Sequence, residues 1–228
     1  MGTDNISFGD KFSFLVDKYK SICSNCRSIN YLGITFYYDN RFVPSVLELF
    51  PMEISTIDKQ VDFKSIKTVL DVGANIGQFS FTLKRFFPNI KVYCFEPNPE
   101  PFEILKKNLK KEKLFNYGLG IVGKRDFNYN KNNSAEGNLY GNGEIKIEVN
   151  IVDINKLNII KEFDLVKIDV EGAELEVIDS LKDIKFKYLY IECVDGKNMV
   201  EITNKLKDRN PELLSFTNNL NALFKMRK

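Results

Sequence analysis

From Thr68 onward, short apolar runs alternate with segments whose apolar residues recur at helical spacing. The run KTVLDV leads through a turn with two glycines into a segment bearing Phe79, Leu83, Phe86 and Phe87, which Pro88 closes. KVYCFE leads through PNPEP into a segment with Phe102, Leu105 and Leu109 on one face. FDLVKIDV precedes Leu175, Ile178 and Leu181, and KYLYIECV follows. Buried strands alternating with amphipathic helices predict βαβ units and a parallel sheet. One more strand is expected near Leu114 to Leu119, and a half-exposed one where Ile145, Ile147 and Val149 alternate with Lys146 and Glu148. The tail predicts a helix (Met199, Ile202, Leu206) and two strands, Leu213 to Phe216 and Ala222 to Met226. The turn between those strands is too short for any but an antiparallel pair.

Residues 1–65 are less regular. Phe12, Leu15, Val16, Tyr19 and Ile22 have helical spacing, Ile34 to Tyr38 alternates, and a proline-interrupted stretch runs through Phe50-Pro51. The expected division is an accessory cover, 1–65, and a catalytic domain, 66–228. Phe36, Tyr37, Tyr38 and Phe42 would pack on the core or stack on a ligand ring. Asp126 to Asn142, rich in Asn, Gly and Ser, reads as a long loop; its Asn132, Asn133, Ser134 and Asn138 suit hydrogen bonding to a ligand and suit a surface turn equally.

Composition narrows the chemistry. Lys and Arg total 33 against 31 Asp and Glu, so no strong field gathers nucleic acid or an anionic membrane, and Lys106, Lys107, Lys110 and Lys111 read as a solvated helix face. No apolar stretch reaches bilayer length and MGTDNISFGDKF lacks a signal-peptide core, so the expected localisation is cytoplasmic. Abundant Lys, Asn and Ile point to a bacterial source. The chain has no histidine, which removes Ser-His and Cys-His nucleophile schemes and leaves carboxylate, Lys, Tyr, Cys or water as general base. Without histidine or a second cysteine pair, the lone Cys23-x-x-Cys26 lacks a zinc ligand set, and Cys94 and Cys193 sit in apolar runs as small hydrophobes.

Three motifs carry candidate chemistry. In VLDVGANIGQFS an apolar strand ends in Asp71, passes Gly73, Asn75 and Gly77, and opens into a helix; such glycines let backbone approach a ligand, though tight strand-to-helix packing also calls for them. KVYCF ends in Glu96, where an acidic residue takes the ribose hydroxyls of a nucleoside. Nicotinamide dinucleotides use the same device but require G-x-G-x-x-G, and here no glycine stands where a pyrophosphate comes closest. Asp71 suits a cationic group better than a diphosphate. In LVKIDVEGAELEVI, Asp169 ends a strand and Glu171 and Glu174 open a helix, where they either serve chemistry or complement the helix dipole.

In that order, VLDVGANIGQFS, CFEPNP and DLVKIDVEGAE resemble the FkbM-type family of class I methyltransferases from about Thr68 to Val194. The resemblance implies a Rossmann-like α/β fold with a mostly parallel seven-stranded sheet and an antiparallel C-terminal hairpin. It implies S-adenosylmethionine as cofactor: Gly73 and Gly77 lining its methionine portion with Asp71 and Asn75 close by, Glu96 on the ribose with Pro97 and Asn98 shaping that wall, and Leu119 beside the adenine. Asp169 would face the cofactor's amino acid end or the acceptor hydroxyl. Asp169 or Glu171 is the expected base in a metal-independent transfer, a divalent cation held by these carboxylates being the alternative. The family's likeness suggests an O-methyltransferase acting on a sugar, glycan precursor or natural-product hydroxyl. A nucleic-acid base methyltransferase would carry an Asn/Asp-Pro-Pro-aromatic turn where Ile168-Asp169-Val170-Glu171 stands. An NAD-linked oxidoreductase and a non-catalytic scaffold with a degenerate site are the remaining alternatives.

Overall fold

The computed structural model describes residues 27–31, 34–39, 41–42, 57, 59–130, 133–218 and 220–227. The helix expected across Phe12 to Ile22, the Cys23/Cys26 pair, the Phe50-Pro51 stretch and Asn132 lie outside them. Along the chain run β1 (Arg27–Tyr31), β2 (Ile34–Tyr38), β3 (Thr68–Val72), α1 (Gln78–Phe86), β4 (Lys91–Phe95), α2 (Pro99–Asn108), β5 (Lys113–Phe115), β6 (Gly118–Leu119), β7 (Gly123–Asn130), β8 (Asn133–Asn138), β9 (Ile145–Val152), β10 (Glu162–Ile168), α3 (Glu174–Ser180), β11 (Lys185–Glu192), α4 (Gly196–Lys205), β12 (Pro211–Phe216) and β13 (Asn221–Met226).

Seven strands form the central sheet in the order β12-β13-β11-β10-β3-β4-β5. β5, β4, β3, β10 and β11 are parallel, and β13 and β12 add the antiparallel hairpin expected from the short C-terminal turn. Period-two alternation sorts each central strand onto two cores. Val69, Tyr188 and Tyr190 join the helix residues Phe79, Leu83, Ile104 and Leu105 on one face, together with Phe36, Tyr38 and Phe42. Leu70, Val72, Leu189 and Ile191 meet Val177, Ile178 and Ile202 on the other. Helices on both faces remove the sheet from water, which is why these strands read as unbroken apolar runs. Phe36, Tyr38 and Phe42 are core residues, with Phe36 packed 4.8 Å from the Phe81 ring.

Two expectations need correction. The strand placed over Leu114 to Leu119 breaks after Phe115: β5 closes the edge of the central sheet, while β6 pairs in parallel with β9 in a second sheet of order β6-β9-β7-β8. The presumed loop from Asp126 to Asn142 contributes β7 and β8 to that sheet. Its Asn and Gly content resembles a turn, but Phe127 and Tyr129 are buried between exposed or half-buried neighbours, and they form a small core with Val149 and Ile151. Two buried aromatics at alternate positions outweigh the polar residues around them. The strand at Ile145–Val152 is half-exposed as its alternation requires.

Asn108, at the end of α2, ties the N-terminal strands to the rest. Its Oδ1 accepts from the Tyr37 N–H at 2.7 Å, and its Nδ2 donates to the carbonyls of Tyr37 and Ile76, each at 2.8 Å. Asn108→Ala strands all three partners, and a loss of about 1–2 kcal/mol is expected on urea unfolding.

Candidate functional site

The chain leaves β3 toward β4 and β5, then returns to β10 on the opposite side, so the order reverses between β3 and β10. In an open α/β sheet, the crevice beyond the carboxyl ends at such a point is where ligands sit. A cleft open to solvent occupies that position. Val72, Gly73, Asn75, Phe95, Glu96, Pro97, Asn98, Asp169, Val170 and Glu171 line it from the central sheet, and Leu119, Phe127, Gly137, Leu139 and Ile151 from the second.

The turn after β3 is shaped by close packing. Gly73 has φ +76°, and a Cβ there would lie 1.7 Å from the Asp169 carbonyl oxygen, so only glycine lets the turn pass the end of β10. Its N–H and that of Ala74 both donate to the Phe95 carbonyl at 3.0 Å. Gly77 does a different job: a Cβ there would meet Leu105 at 2.6 Å, so this glycine lets α1 pack against α2 and does not line the cleft. Asn75 (φ +50°) accepts the left-handed conformation that Asn tolerates, and its N–H donates to Glu96 Oε2 at 2.8 Å.

Glu96 sits at the tip of β4, buried, with Oε1 accepting from the Asn98 N–H, also at 2.8 Å. Burial pushes its carboxyl up to about 7, partly offset by those two N–H donors and by Lys167. Asn98 caps α2 by accepting from the Glu100 N–H at 3.1 Å, while its buried Nδ2 finds no partner among the described residues. The Asn116 amide, which the sequence does not flag, donates to the Glu96 and Pro97 carbonyls and fixes this wall.

Asp71 is fully buried beneath the cleft and does not line it; Ser80 Oγ donates to its Oδ2 at 2.6 Å. Asp169 is about one-third exposed, with its N–H donating to the Val72 carbonyl. Between these carboxylates lies Lys167, 3.4 Å from Asp71 and 3.1 Å from Asp169. Glu171 lines the cleft in a strained left-handed conformation, φ +48°. Glu174 is buried and holds the turn by accepting from the Gly172 N–H at 2.7 Å; burial raises its carboxyl despite that bond. Glu192, at the end of β11, is a further acidic residue that the sequence pattern does not single out. Burial, then the nearby Asp169, lift it to about 7.

Residues 71–216 match the family model of the methyltransferase FkbM domain. Methyltransferase sdnD of Sordaria araneosa is 28% identical, over 57% of this chain and 71% of that protein. The fold is similar to the methyltransferase FkbM structure from Methylobacillus flagellatus KT (TM-score 0.50, 18% identity, 71% of this chain) and to the T. Thermophilus 16S rRNA N2 G1207 methyltransferase in complex with AdoMet and guanosine (TM-score 0.53, 13% identity, 89% of this chain). The chain spans 43% and 50% of the lengths of those two structures.

The buried carboxyls make stability depend on pH. Folded Glu96 and Glu192 keep their protons to about pH 7, whereas the unfolded chain releases them near the ordinary 4.5. Over that interval the folded state binds more protons, so this contribution to stability is fullest below 4.5 and is lost as pH rises toward 7. The melting temperature is therefore expected to be lower at pH 8 than at pH 5.5, with a smaller drop in Glu192→Gln. Separately, Glu171→Gly removes the left-handed strain and should stabilise the protein by roughly 1 kcal/mol, read by thermal denaturation.

Proposed function

The chain belongs to the methyltransferase FkbM domain family, and from that premise we propose that it transfers a methyl group from S-adenosylmethionine to a hydroxyl of a sugar, a glycan precursor or another natural product. The observation that carries the cofactor assignment is the pairing of Glu96 with Asn98. Each Glu96 oxygen accepts one backbone N–H and retains a lone pair for a ribose hydroxyl, and the unpartnered Asn98 Nδ2 is a donor for a ribose oxygen. Pro97, Leu119, Phe127, Leu139 and Ile151 offer an apolar wall to the base. The turn argues against a dinucleotide: the N–H groups of Gly73, Ala74 and Asn75 are spent on Phe95 and Glu96, leaving none of these three to cradle a pyrophosphate.

When bound, the cofactor supplies an electrophilic methyl group on a sulfonium. The protein's own work is to orient and to exclude water. Asp169 and Glu171 reach the cleft where an acceptor would enter, and either would take the hydroxyl proton as oxygen attacks, worth roughly two to four orders of magnitude in rate. Asp169 and Glu171, the acidic residues lining this end, favour a neutral polyhydroxylated acceptor over a phosphorylated or carboxylated one.

Glu96→Ala is expected to weaken S-adenosylhomocysteine binding at least tenfold, about 1.4 kcal/mol, without loss of the cooperative melt. Unchanged affinity would remove the ribose role. Asp169→Asn is expected to cut methyl transfer to a neutral glycan acceptor about a hundredfold while affinity for S-adenosylhomocysteine falls only about fivefold. Equal turnover would take Asp169 out of the chemistry.

A further inference from the structure

Lys167 is the only buried lysine among the described residues, 4% exposed near the C-terminal end of β10, with Val166 and Ile168 buried on either side of it. It lies on β10 in register with Asp71 on β3, so the two side chains rise from adjacent strands on the same face of the sheet. An ammonium group has three donors, and here they face the turn after β3, the buried Asp71 beneath the cleft and Asp169 on its lining. Nζ donates to the Gly73 carbonyl at 2.9 Å, and its ion-pair distances are 3.4 Å to Asp71 Oδ1 and 3.1 Å to Asp169 Oδ2.

Stability alone does not call for this arrangement. A buried charge is costly to desolvate, and apolar replacements for a buried ion pair are often neutral or stabilising. What the lysine achieves is geometric. It straps the turn after β3 to the end of β10 at the point where the strand order reverses, and it fixes one oxygen of the part-exposed Asp169 while the residue still lines the cleft. It also offsets the repulsion that would drive the Asp71 and Asp169 carboxylates apart.

We propose that Lys167 is a positioning residue, holding Asp169 and the Gly73 peptide in the orientation that receives the amino acid end of S-adenosylmethionine. The inference rests on the methyltransferase reading above. Its reach is through Asp169, and that makes it separable from a merely structural role.

The test is a mutant cycle read by calorimetric titration with S-adenosylhomocysteine. Lys167→Met is made together with Asp71→Asn, so that no uncompensated carboxylate is left buried, and a cooperative melt establishes that the pair folds. Affinity is expected to fall about tenfold, and adding Asp169→Asn should then change it less than twofold, against about fivefold in the wild-type background. Should the pair fail to fold, Lys167→Arg, which keeps the charge but not the geometry, takes its place in the same cycle. Wild-type affinity in the lysine variant, or an Asp169→Asn effect of equal size in both backgrounds, overturns the positioning role alone. A wild-type protein that binds no S-adenosylhomocysteine overturns the methyltransferase reading and this inference with it.

Discussion

A side chain at position 73 would place a carbon 1.7 Å from the carbonyl oxygen of Asp169. That contact joins the two halves of the cleft, and the remaining geometry follows from it. With no Cβ in the way, the turn after β3 lies against the end of β10, its N–H groups swing toward Phe95, and Asn75 comes within hydrogen-bond reach of Glu96. The Asp169 N–H closes the junction from the other side by donating to Val72. Two strand ends thereby present their acidic residues, Glu96 and Asp169, to one crevice, though the two lie far apart in sequence.

Collecting carboxylates in this way has an electrostatic consequence. Glu96 and Glu192 are pushed up to about 7, chiefly by burial, while Lys167 opposes the shift at both. The unpartnered Asn98 amide beside Glu96 adds an unmet donor. Local rules are broken here, as expected where binding rather than stability has shaped the structure. A ligand that gives hydroxyl donors to Glu96 and accepts from Asn98 would relieve both costs.

The central sheet was legible because strands buried on both faces leave an unbroken apolar signature, and because the residue ending each strand marks the cleft. Glu96 and Asp169 were placed by that logic, whereas Asn75 and Leu119, which line the same cleft, were implied by the family resemblance. The second sheet was obscured: β7 buries a single face, and the Asn, Gly and Ser of Asp126 to Asn142 carry a turn signature that masks the alternating Phe127 and Tyr129. Gly73 and Gly77 look alike in sequence, yet one meets a strand end and the other a neighbouring helix, a distinction only tertiary packing makes. Lys167 did leave a trace, a charge between Val166 and Ile168 at the apolar end of a parallel strand, which demands a buried partner; reading Asp71 as ligand-facing hid that partner. Asn108 and Asn116 leave none, since their partners are backbone groups distant in sequence.

The central claim is that this cleft takes a nucleoside bearing a sulfonium or thioether and does not take a dinucleotide. Calorimetric titration of the wild-type protein with S-adenosylhomocysteine, and separately with NAD, tests it most directly. Micromolar binding of the first and none of the second is the expected result. Binding of NAD, or of neither ligand, would contradict the account at the Glu96 wall on which it stands.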